Sequence, residues 1–200
     1  MSFEKLNTEI RQEQIAGAAL SIISDAGLKG LNIAGIARRV GIVPSAVYRH
    51  FKNKDEVLDA VLDLIQENLF ENVKKACEKT PDASERLRHL LMLHINLVVG
   101  NRSIPRIIFS EDLYSGHPER QKKVYSDIIT AYLKKVAEIV RLGQRDRQIR
   151  SDLDPDTVSV MFLGIIQPAG ILWHMSEGQF DAIRHVETAW KIFKESIQFR

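Results

Sequence analysis

Between residues 32 and 54 the chain gathers Asn32, Ser45, Ala46, Tyr48, Arg49, His50 and Lys54. Short polar or methyl groups come first, and hydroxyl, guanidinium, imidazole and ammonium donors follow. That order suits a surface which meets base edges with small groups and grips phosphate oxygens with donors. Tyr48, His50 and Lys54 are read as phosphate contacts, with Arg49 and Ser45 either reading bases or adding to the backbone grip. The plainer alternative makes Tyr48 a core residue and Lys54 a solvated charge. No nucleophile elbow, phosphate-cradling glycine loop or zinc-protease helix is present, so the chain is expected not to be an enzyme and to need no cofactor.

The surrounding residues supply the elements that would carry these donors. Asn32 is a candidate N-cap for a helix whose apolar side is Ile33, Ile36, Ala37 and Val40, and Gly41 supplies a residue tolerant of positive φ where that helix stops. Pro44 fits the first turn of a second helix running to Phe51, with Val47 and Phe51 facing inward. Ile15, Ala18, Ala19, Ile22, Ile23 and Ala26 recur at three- and four-residue intervals and predict a helix over 8–26 lying across the other two. Asn53 and Glu56 have the form of a capping box, and the apolar face Leu58, Val61, Leu62, Ile65, Leu69 and Val73 carries the next helix to about Lys79.

Ile36-Ala37, Gly41, the run Val47-Tyr48-Arg49-His50-Phe51 and Lys54 three residues beyond it resemble the N-terminal signature of the TetR family of transcriptional repressors. The resemblance covers roughly residues 10–60. Asn32, Gly35 and Val43 depart from it, standing where the family usually has Thr, a charged residue and Ser. It implies an all-α fold of about nine helices: a DNA-binding domain over 1–54, a connecting helix over about 54–79, and a larger effector-binding and dimerisation domain over 80–200.

The remaining sequence agrees with that expectation. Apolar periodicity predicts helices over 84–100, 104–112, 118–142, 155–175 and 181–197, and strand-like alternation is missing. Pro168 is expected to kink the helix over 155–175. That helix is apolar almost all round and the last one has a 3-4-3-4 stripe, so a partner chain is expected to cover one side. In the family these helices pair across a two-fold axis, which puts the dimer interface at Phe162, Ile166, Ala169, Trp173, Ile183, Val186, Trp190 and Phe193. A ligand pocket is less legible; its candidates are His94, Phe109, Tyr132, Gln167 and Trp173, for which core packing is the alternative.

Charge is uneven. Residues 1–54 hold eight Lys/Arg against four acids, a net +4, leaving −2 for the rest of a chain whose total is +2. A basic N-terminal segment suits a polyanionic partner. The single cysteine, Cys77, excludes an intrachain disulfide and reads as a buried small hydrophobe. No apolar run follows Met1, so no signal peptide is expected, and the most apolar stretch, over 160–173, is shorter than the roughly 20 residues a membrane span needs. Asp152, Asp154 and Asp156 open like a calcium loop, but Thr157 and Leu163 stand where it needs Gly and Glu. His89 with His94, or His174, could be metal ligands; none has ligand spacing, and no metal is expected.

Together these readings predict a cytoplasmic homodimeric regulator, a repressor released from a pseudo-palindromic double-stranded operator by an unknown small-molecule effector, with no membrane partner. The rivals are an all-α ligand-binding or enzymatic domain whose helix-turn-helix only packs, and an architectural DNA binder without an effector.

Overall fold

The computed structural model describes residues 3–101, 103–108 and 110–199. Among these the regular elements are helical, apart from one isolated antiparallel bridge between Ile149 and Gln198. The fold is all-α, as expected. The elements are α1 (Phe3–Gly30), α2 (Ile33–Val40), α3 (Pro44–Val47), α4 (Lys54–Lys79), α5 (Ala83–Gly100), α6 (Ser103–Ile108), α7 (Glu111–Tyr114), α8 (Pro118–Lys123), a π-helical stretch (Val124–Thr130), α9 (Ala131–Arg145), α10 (Pro155–Met175) and α11 (Ala182–Ile197). The helix expected over 104–112 is divided into α6 and α7. The one expected over 118–142 is a single rod whose middle widens to π-helix, where the Thr130 hydroxyl donates to the Tyr125 carbonyl at 2.7 Å.

The chain forms two compact units, Met1–Glu67 with Asn101–Val124, and Asn68–Gly100 with Tyr125–Arg200. This differs from the linear division at residues 54 and 80. Residues 101–124 belong with the N-terminal unit because α6 packs on α1, and because Arg120 of α8 pairs with Asp55 and Asp59 at the start of α4.

In the first unit Ile15, Ala19 and Ile23 of α1, Ile36 and Ala37 of α2, Val47 and Phe51 are buried together with Val57 and Leu58. Gly27 interrupts α1 with φ 70°, and Leu31, just past its end, is buried. In the second unit α10 packs on α5, α9 and α11, around Leu87, Leu91, Ile95, Tyr132, Val136, Phe162, Ile166 and Phe193. Phe162 and Phe193 meet edge to face with ring centroids 6.3 Å apart. The C-terminal residues are fastened to the turn before α10: Arg150 N–H donates to Ile197 O at 2.9 Å, and Phe199 N–H to Gln148 O at 3.2 Å.

Helix α10 continues through Pro168 and is 21 residues long, apolar enough by length and composition to cross a bilayer. The helix is thus longer than the 160–173 stretch that falls short of a membrane span. What marks α10 as a core helix is its buried side, Phe162, Ile166, Ala169 and Trp173, which packs inside its own unit.

Gly143 allows the closest approach in the second unit: a Cβ there would lie 2.7 Å from Ala83 Cβ and 2.7 Å from Ile149 Cδ1. Gly143→Ala should destabilise the protein by about 1–3 kcal/mol through overpacking. Urea denaturation measures this, and a variant as stable as the parent would mean that α5 and α9 yield freely at this contact.

Candidate nucleic-acid interface

The candidate site is built by three local devices. Asn32 caps α2: its Oδ1 accepts from Gly35 N–H at 2.7 Å while its Nδ2 donates to Gly30 O at 3.0 Å. Gly41 ends α2 in the left-handed region at φ 77°, and Ile42 N–H closes the turn on Ala37 O at 2.9 Å. Pro44 then opens α3, with Val43 as an N-cap that makes no side-chain bond. Helix α3 ends at Val47, earlier than expected; residues 48–51 continue as hydrogen-bonded turns, with His50 and Phe51 N–H both donating to Val47 O at 2.9 and 3.0 Å.

Val47 is fully buried and Phe51 nearly so, which turns the opposite side outward. Ser45 and Arg49 are exposed, Ala46 is half-buried and Tyr48 is 54% exposed, so Tyr48 is not a core residue. Lys54, the first residue of α4, is also exposed. Neither Arg49 nor Lys54 forms an ion pair among the described residues, which leaves both charges available to a partner.

His50 differs. It is half-buried, its Nδ1 is enclosed with no hydrogen-bond partner among the described residues, and it lines a groove of about 660 Å³ with Glu9, Glu13, Glu56, Asp59 and Asp63. With its backbone N–H already used, only Nε2 remains for an outside acceptor. Asn32 likewise has its carboxamide engaged at both ends, so its direct part is to hold the start of α2. Arg38, exposed in the last turn of α2, is a basic residue the motif reading passed over. Its neighbour Arg39 is paired with Asp25 at 2.8 Å.

Residues 15–61 match the description "Bacterial regulatory proteins, tetR family", and residues 63–196 match "YsiA-like protein, C-terminal region" within the same family. The chain belongs to the tetR family. It is a DNA-binding transcriptional regulator. It is similar to the fatty acid metabolism regulator protein of Bacillus subtilis, with 24% identity over 85% of this chain and 87% of that one. It is also similar to the nucleoid occlusion factor SlmA of Vibrio vulnificus, with 22% identity over 94% and 96%. Among solved structures, a transcriptional regulator FadR from Bacillus subtilis in complex with stearoyl-CoA shares the fold, with a TM-score of 0.75, 22% identity and coverage of 92% and 98%.

In this tetR-family chain the second unit holds four of the five ligand candidates. His94 Nδ1 and the Tyr132 hydroxyl share a hydrogen bond of 2.8 Å with their rings edge to face, and both are buried. Burial pushes the His94 imidazole down to about 4 and the Tyr132 phenol far above its ordinary range, so both are neutral at physiological pH. Trp173 is buried in the same unit, Gln167 is half-buried, and Phe109 lies outside the described residues.

The residues expected at the dimer interface face mainly into their own unit. Phe162, Ile166, Ala169, Trp173, Val186, Trp190 and Phe193 are all buried within a single chain, and of that set Ile183 alone is exposed, at 37%. The 3-4 spacing marks the apolar stripe of each helix: α10 packs on α5, α9 and α11, and α11 on α5 and α10. The outward apolar residues are Val160, Met161, Ile171, Leu172 and Met175 on α10, with Ile183 and Ile192 on α11.

Because His94 titrates at about 4 when folded and near its ordinary 6.5 when unfolded, the unfolded chain binds more protons between those values. Stability therefore falls as pH drops through that window, by about 2 kcal/mol between pH 7 and pH 5. Denaturant melts of the parent and of His94→Gln should show that share of the slope missing from the variant. Equal slopes would mean that His94 is already protonated in the folded protein.

Proposed function

We propose that the protein is a repressor which binds a pseudo-palindromic operator as a homodimer and is released by a small molecule carrying a long acyl chain. The single observation that carries the DNA part is the outward row of Ser45, Tyr48, Arg49 and Lys54, fixed from behind by buried Val47 and Phe51. Ser45 and Ala46 lie at the start of α3, where a helix-turn-helix meets base edges, while Tyr48, Arg49 and Lys54 hold phosphates on either side. His50 adds at most one contact through Nε2, and Asn32 acts by fixing the backbone at the start of α2.

Dimerisation is supported by the outward face of α10 and α11, where Met161, Ile171, Leu172, Met175, Ile183 and Ile192 leave apolar surface in water. A two-fold pair presents two heads to half-sites about 34–36 Å apart, one turn of DNA. The effector class is supported by the relative bound to stearoyl-CoA and by the aliphatic and aromatic interior of the second unit, which also holds the buried His94–Tyr132 pair. An effector lowers operator occupancy only as far as it favours the non-binding state. Acting on DNA, the protein works in the cytoplasm, and it performs no catalysis.

Gel shifts on DNA from the promoter next to its own gene test the reading. Binding should weaken steeply with salt and should be reversed by stearoyl-CoA or a similar acyl thioester; a protein indifferent to every palindromic segment in dilute buffer would overturn it. Lys54→Ala removes one phosphate contact from each protomer and should flatten the plot of log affinity against log salt by about 1.8 for the dimer, with site preference unchanged. Leu172→Glu should give a single chain by analytical ultracentrifugation and operator binding reduced at least tenfold, whereas a dimeric variant would place the seam elsewhere.

A further inference from the structure

Arg120 is a buried charge that the DNA-facing surface does not use; 3% of its side chain is exposed. Its Nε donates to Asp59 Oδ1 at 2.8 Å, and its Nη2 donates to Asp55 Oδ1 at 3.0 Å and to the Asp55 carbonyl at 3.1 Å. One turn on, Lys123 Nζ lies 2.6 Å from Asp63 Oδ1, and His117 Nε2 lies 3.6 Å from Asp55 Oδ1. Asp55, Asp59 and Asp63 recur every four residues and so form one edge of α4. Arg120 and Lys123, three apart, form the facing edge of α8.

This ladder has a particular place in the chain. Helix α4 begins with Lys54, directly after the α2–α3 head, and passes from the first compact unit into the second after Glu67; the α8 rod does the same after Val124. On the first unit's side the Arg120 guanidinium fastens the first turns of α4, and the Lys123–Asp63 pair fastens the next. The planar fork reaches Asp59 from Nε and Asp55 from Nη2, two nitrogens held in one rigid plane, whereas a lysine would have to meet all three acceptors from a single nitrogen.

We propose that Arg120 is a positioning residue for DNA recognition: by clamping the first turns of α4 to α8 it sets where Lys54 and the head stand, and hence which half-site spacing the dimer accepts. Without it, Asp55 and Asp59 are like charges one turn apart, and the first turns of α4 lose the fork that ties them to α8. Arg120 touches no DNA in this scheme. It acts through α4.

The inference rests on the regulator reading, and its test separates the two. The operator is a duplex recovered from genomic DNA bound by the full-length protein, with one to three base pairs then inserted at its centre. Fluorescence anisotropy compares the parent with Arg120→Ala, Arg120→Lys, Asp59→Asn and, as a core comparator, Ile95→Val. Arg120→Ala should bind the native duplex about tenfold more weakly, equivalent to about 1.4 kcal/mol, and should lose discrimination against the inserted spacings. Arg120→Lys should recover part of both, and Asp59→Asn should reproduce the loss without adding to it in the double variant. Ile95→Val should keep the parent's discrimination. If Arg120→Ala fails to fold, Arg120→Lys and Asp59→Asn carry the test. Arginine variants with the parent's affinity and spacing preference, or a comparator that loses discrimination equally, would overturn the role of Arg120. A parent protein that binds no palindromic duplex overturns the regulator reading and this inference with it.

Discussion

Two apolar contacts decide which way the reading surface points. A helix of one turn has no stability of its own, since nucleation is unfavourable and few hydrogen bonds follow it. Helix α3 exists because Val47 and Phe51 are sunk into the core built by α1 and α2. Lying four residues apart, they also fix rotation about the helix axis, so Ser45, Tyr48 and Arg49 have no choice of direction. Gly41 and Pro44 define where the turn begins and ends, and the buried pair holds it there.

Short polar side chains set the junctions around that core. Asn32 closes the start of α2, Asn53 accepts from Glu56 N–H at 2.9 Å, Asp154 from Thr157 N–H at 2.8 Å, and Asp181 from Arg184 N–H at 3.0 Å. The alternating carboxylates near residue 154 are used up in the same way: Asp152 takes the Arg150 fork at 2.6 and 3.0 Å, and Asp156 pairs with Arg141 at 2.7 Å. Gly35, which departs from the family pattern, has a packing reason. A Cβ there would lie 3.2 Å from Asn32 Oδ1 and 3.4 Å from Ile22 Cδ1, crowding both the cap and α1.

In the second unit the same helices serve two purposes on opposite sides. The inner stripe of α10 and α11 joins aromatic rings, Trp190 lying 5.9 Å from Phe193 and Phe193 packing on Phe162, into a core made within one chain. The outer stripe, richer in Met, Ile and Val, faces away from that core. Gly170 lets α10 come close to α5, since a Cβ there would lie 2.8 Å from Val98 Cγ1. Between α5 and α9 the His94–Tyr132 pair satisfies itself, so burial costs little while both groups stay neutral.

Caps, breaks and apolar periods are written in neighbouring residues, so Asn32, Gly41, Pro44, the Asn53–Glu56 box and the Asp154–Pro155 start could all be placed before any coordinates were known. For the same reason the anchors Val47 and Phe51 and the turn between α2 and α3 are legible, since they lie within one short stretch. What could not be read is whatever depends on residues distant along the chain. A stripe on α10 announces that it will be buried without saying by what, and here α5 and α9 reached it first, moving the outward face to Met161, Ile171 and Leu172. Arg120 is an ordinary surface arginine until folding brings up carboxylates 61 and 65 positions earlier. Residues 101–124 likewise join the first unit only because α6 finds α1. Local sequence sets backbone geometry through short-range sterics and hydrogen bonds, whereas which surfaces meet is settled by competition among all the apolar faces at once.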